Sequence, residues 1–150
     1  MDLAHAKDLL LLHSFGHPDQ EHPTMSSGFV GSLRQYMGLN LDNFHEVMAA
    51  IVGVAPHLVQ ERYIDREIVD ALWSLCWSAR NWGLDPNGVL QRECLIDDED
   101  VDRLESWIEA VEWAVLTLLN AAPDASVEQA VDAALASYRE ITGRDFPPEC

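Results

Sequence analysis

The sequence predicts an all-α fold, a single compact helical bundle of about five to six helices. Three observations carry this. Apolar residues recur at steps of three and four over most of the chain, cap residues stand ahead of those runs, and no useful length of sequence alternates as a half-buried strand does.

The first helix is expected over residues 3–13, where Leu3, Ala6, Leu9 and Leu10 share a face. Gly16 and Pro18 end it, so the chain should be mostly loop to about Ser27. A second short helix is predicted through "FVGSLRQYM", closed by Gly38. The third begins at Asn40 or Asp42. An Asn40 cap lets Leu39 staple onto Phe44, and the helix buries Phe44, Val47, Met48, Ile51 and Ala55 before an expected stop at Pro56.

The fourth helix, about 65–82, is apolar round most of its circumference. Only a narrow seam of Glu67, Asp70, Ser74, Ser78 and Asn81 is polar, which predicts a buried, central helix. Gly83 and the "DPNG" turn at 85–88 end it, and a brief turn, "GVLQREC", follows. Asp97 or Asp98 caps a fifth helix reaching about Asn120, with Val101, Leu104, Ile108, Val111, Val115 and Leu118 as its core stripe. Ser126 and Gln129 form a capping box for the last helix, which is expected to bury Val127, Ala130, Val131, Ala134, Tyr138 and Ile141 and to end at Gly143. There is no internal repeat and no linker, so residues 1–150 read as one acidic α-helical domain.

The charge is the unusual property. Nine basic residues stand against 26 acidic ones, for a net charge of −17, and Lys7 is the one lysine. Such a field repels nucleic-acid phosphates and anionic membranes, and it attracts basic partners. No direct nucleic-acid or membrane partner is therefore expected. Hydrophobic residues make up 48% of the chain and charged residues 23%, which excludes a disordered acidic tail. No segment is apolar for long enough to span a membrane. Cys76, Cys94 and Cys150 form no CxxC pair, so a reduced, cytoplasmic chain is expected.

Motifs for catalysis are sparse. No GxSxG elbow occurs, and "GFVGSL" at 28–33 lacks the lysine and preceding strand of a phosphate-binding loop. Cys76 reads as a small core residue, and Cys94 lies beside Glu93 and Asp97, which disfavour a thiolate. The loop "HSFGHPDQEHPT" offers His13, His17, Asp19 and His22 as ligands for a divalent transition metal. His13 and His17 have the one-turn spacing of a helical metal site, but Gly16 and Pro18 interrupt the register that spacing requires.

The acidic segment "DDEDVDRLESWIEAVE", residues 97–112, holds eight carboxylates and one arginine. First-turn acids complement the helix dipole. That does not account for Asp98, Asp102, Glu105, Glu109 and Glu112, which fall at steps of four and three in one stripe and repel one another. Of the five tryptophans, Trp113 lies off the core stripe of its helix. It either packs on another helix or stands exposed beside those carboxylates as an anchor.

These features lead to a non-enzymatic acidic binding protein that docks on a basic surface of a partner protein, in the manner of an immunity protein, an antitoxin or a nucleic-acid mimic. The expected contact residues are Asp98, Asp102, Glu105, Glu109, Glu112 and Trp113, with no cofactor. The alternative is a metal-binding enzyme or sensor that uses the histidine loop. A third reading is a self-associating subunit, and the sequence leaves the oligomeric state open.

Overall fold

The computed structural model describes residues 1–148, and every regular element among them is helical. In chain order these are α1 (Leu3–His13), α2 (Pro23–Ser27), α3 (Phe29–Arg34), α4 (Leu41–Gln60), α5 (Arg66–Ala79), a π-helical turn (Arg80–Leu84), α6 (Val89–Arg92), α7 (Asp98–Leu119), α8 (Val127–Ala134) and α9 (Ala136–Thr142). Cys150, grouped above with the reduced thiols, lies outside the described residues.

Side-chain caps set most of the starts. Asn40 accepts from the Asp42 N–H at 2.9 Å, Asp65 from Glu67 at 2.9 Å and Asp97 from Asp100 at 2.8 Å. Ser126 and Gln129 close the expected reciprocal capping box. Gly143 ends α9 in the left-handed region, at φ +67°.

The stretch before Ser27 is mostly loop as expected, ending in the short helix α2, where the His22 ring caps the start and Pro23 supplies a first-turn residue that needs no N–H. The segmentation departs from expectation in three places. The second helix, α3, stops at Arg34 rather than running to Met37. The third helix does not stop at Pro56. Pro56 removes one backbone bond, but α4 continues to Gln60, where Leu58 is buried and His57 Nε2 accepts the Asp65 N–H at 3.0 Å. The last helix breaks at Leu135 into α8 and α9, which places Tyr138 in the core and leaves Ile141 exposed.

The central helix is α4, and α5 lies at the margin. Eleven of the 20 residues of α4 are buried, and it packs against α1, α3, α7 and α8. Phe44 stacks on Trp107 of α7 with centroids 5.0 Å apart and planes within 1°, and Tyr138 of α9 packs on the same ring at 5.7 Å. The prediction of a buried central helix at 65–82 is therefore corrected. One side of α5 meets the core through Ile68, Ala71, Leu72 and Leu75, while Val69, Trp73 and Trp77 stand exposed on the other. Lys7 of α1 secures the start of α5 by pairing with Asp65 at 2.7 Å and with Glu67.

Since Phe44 is fully buried and touches the aromatic side chains of both α7 and α9, Phe44→Ala should lower the unfolding free energy by about 3–5 kcal/mol. A urea titration would show this as a lower midpoint at an unchanged slope.

Candidate functional site

α5 and α7 run antiparallel and come together at the π-helical turn. Gly83 is what permits the approach, because a Cβ there would stand 2.5 Å from Leu104 Cδ2. Arg80 leaves the same turn and grips Glu112 of α7 with two bonds, Nε to Oε1 at 2.8 Å and Nη2 to Oε2 at 2.6 Å. Beyond this clasp the helices leave an open groove of about 400 Å³. Leu72, Cys76 and Val115 line its base, Val69 and Trp73 one wall, and Leu116 and Leu119 the other. A smaller recess of about 130 Å³ continues it past Trp77 to Arg80.

The groove is open and apolar at once. Trp73 is 72% exposed, Trp77 52% and Leu116 57%. Leaving a side chain of that size in water forgoes about 2 kcal/mol relative to burial, so an unpartnered face of this kind is a marked feature for a small protein. Cys76 in the base is no nucleophile: burial first, then the Glu112 charge, pushes its thiol up to about 12.

The exposed face of α7 changes character along its length. Asp98, Asp102, Glu105 and Glu109 are exposed and form no salt bridge among the described residues. Glu112 differs from the other four, since Arg80 neutralises it. The same four-and-three register then continues into exposed Leu116 and Leu119, so one ridge passes from carboxylates to leucines. Trp113 flanks this ridge. It is 49% exposed, and its Nε1–H points to the Ala133 carbonyl at 3.4 Å.

Sequence reasoning placed the acidic stripe and Trp113 but missed Val69, Trp73, Trp77, Leu116 and Leu119. The available signal was the apolar circumference of α5, read as burial. A helix apolar on all sides in a chain this short either takes the one central place or carries an uncovered face. Extending the stripe beyond Glu112 at the same step would also have reached Leu116 and Leu119.

The histidine loop is corrected too. His13 is fully buried, and its Nδ1 accepts the Phe29 N–H at 3.1 Å, so Nε2 carries the proton and donates to Glu46 at 2.7 Å. His17 Nδ1 accepts from the Asp19 N–H while Nε2 meets Asp8 at 2.9 Å, and His22 Nδ1 accepts from the Thr24 N–H. Each ring therefore spends its lone pair on a backbone N–H, which fixes the loop instead of presenting a ligand. His13, His17, Asp19 and His22 do not converge, and among the described residues no group of three or more His, Cys, Asp or Glu side chains could hold a metal ion. Comparison with protein-family models, curated proteins and solved structures gave no match.

Two measurements follow from this geometry. Trp73, Trp77 and Trp113 carry the most exposed indoles, and caesium ions should quench the tryptophan fluorescence more than iodide because the chain carries a net charge of −17 and the α7 ridge is acidic. W73F/W77F/W113F should remove most of that difference. Burial keeps the His13 imidazole neutral against the pull of Glu46, and burial with the Arg144 charge does the same for His45. The unfolded rings take up protons near pH 6.5 that the folded ones refuse, so stability should fall as pH drops from 7.5 through 6.5 to 5.5. Urea titrations should show a shallower pH slope in His13→Gln, with the His45 contribution remaining, and equal slopes would refute the assignment.

Proposed function

We propose that this chain is a binding protein that covers a basic surface of another protein, using the α7 ridge and the groove beside it. The observation that carries the reading is the ridge itself. Four exposed carboxylates that form no salt bridge among the described residues are held one helical turn apart, where each neighbouring pair is unfavourable by a few tenths of a kcal/mol. Interleaved lysines would relieve that repulsion. A partner's lysines and arginines relieve it as well, and the field that remains in the free protein speeds encounter with such a partner.

The apolar groove supports the same reading from the side of affinity. Charges at a rim set association rate and register more than strength, whereas buried aromatic anchors carry most of the binding energy. Trp73, Trp77 and Trp113 are available as such anchors. An immunity protein, an antitoxin or a nucleic-acid mimic works in this physical style, within a reducing compartment such as the cytoplasm.

The test is a paired capture from the native host at low ionic strength, with wild type and D98N/D102N/E105Q/E109Q immobilised side by side. The expected result is one basic protein recovered by the wild type and lost, or slowed in association by about tenfold, with the variant. A partner retained equally by both, with the same salt dependence, would overturn the reading.

A further inference from the structure

Resting on that reading, we infer that the groove between α5 and α7 receives one amphipathic helix of the partner. In this arrangement its apolar turns lie between Trp73 and the Leu116–Leu119 pair, and its basic turns lie over Glu105 and Glu109.

The shape is the first argument. Two antiparallel helices that touch at one end and part along their length leave a trough in which a third helix packs by ridges into grooves. The trough is open along its side. It therefore suits an extended apolar stripe better than a small molecule, which needs enclosure over most of its surface.

Charge complementarity supplies the second argument and fixes the occupant. The α7 ridge spans about 32 Å from Asp98 to Leu119, with carboxylates from Asp98 to Glu112 followed by Leu116 and Leu119. An occupant of about 20 residues therefore has apolar residues at helical spacing toward one end and lysine or arginine toward the other. The α5 ridge adds direction. It begins with exposed Arg66, one turn before Val69 and two before Trp73, and Arg66 forms no salt bridge among the described residues. Acids favour a helix N-terminus and bases its C-terminus. The occupant thus enters with its N-terminus at Arg66 and ends with its basic turns over Glu105 and Glu109, parallel to α5. A second copy of this chain is the poorer occupant, because each copy carries −17 and the ridge would face another acidic surface.

The experiment is a selection from a displayed library of 21-residue helices. The library has one fixed apolar stripe, with the flanking positions at both ends varied among Lys, Arg, Asp, Glu, Gln and Ala. Enriched peptides should concentrate Lys and Arg in the C-terminal two turns. A synthesised representative should bind about 30-fold more weakly to W73A, and about fivefold more weakly at low salt to E105Q/E109Q. Both variants change exposed side chains, and thermal melts would verify that they fold. No enrichment, enrichment of N-terminal bases, or binding indifferent to W73A would overturn the inference. So would sedimentation showing that the chain alone forms a dimer that W73A abolishes. A basic host protein that is lost with the four-site variant above but bound normally by W73A would overturn the inference and leave the wider reading standing. Loss of the charge dependence as well would remove both.

Discussion

A bundle built from 150 residues has room for one central helix, and α4 takes that place with eleven of its 20 residues buried. Its phenyl ring at Phe44 is the joint on which the other layers meet, since Trp107 of α7 stacks on one face and Tyr138 of α9 closes another approach. Everything else is arranged around that occupancy. Once α4 is enclosed, a second strongly apolar helix has no central position left, and α5 must sit at the margin with part of its apolar surface uncovered. The exposed tryptophans are thus a consequence of which helix won the centre.

The second constraint is the scarcity of cations. Lys7 is committed to Asp65 and Glu67, Arg80 to Glu112, Arg103 to Glu99 and Asp100, and Arg139 to Asp132. Several of these pairs join separate elements: Lys7 ties α1 to α5, and Arg80 ties the π-helical turn to α7. Exposed pairs of this kind contribute about 1 kcal/mol or less each, so their value lies in where they hold the backbone more than in total stability. With so few cations, and Lys7, Arg80 and Arg139 placed at joints, the middle of the α7 ridge forms no salt bridge among the described residues. The same allocation builds the clasp at Arg80 and the acidic surface beside it.

Much of this was legible in the sequence. Caps at Asn40, Asp97 and Ser126, the first two each one of two adjacent candidates, marked helix starts, because a cap is a local bargain between a side chain and the next two or three N–H groups; the Asp65 cap was not read from the sequence. The core stripes of α4 and α7 followed from spacing alone. What spacing could not resolve was competition. Pro56 is a strong local stop, yet burial of Leu58 and the bond from Asp65 to His57 outweigh one lost backbone bond. The periodicity of α5 cannot say which of two apolar helices is enclosed, since that depends on the helices around it. The histidines stayed an alternative for a related reason: spacing reports where rings sit along the chain, but not that the lone pairs of His13, His17 and His22 are taken by backbone N–H groups.

Lys7 has a practical consequence for anyone seeking the partner. It is the one lysine in the chain, and its ammonium is held between two carboxylates. Among the side chains of this sequence, amine-directed coupling therefore has only Lys7 to work on, and Lys7 is remote in sequence from α7. Carboxyl activation inverts the situation, because the ridge offers a row of exposed acids that can be joined without a spacer to a lysine lying against them. A zero-length carbodiimide link would therefore form where the two surfaces touch, and each cross-linked glutamate or aspartate would give the partner's position along the ridge directly.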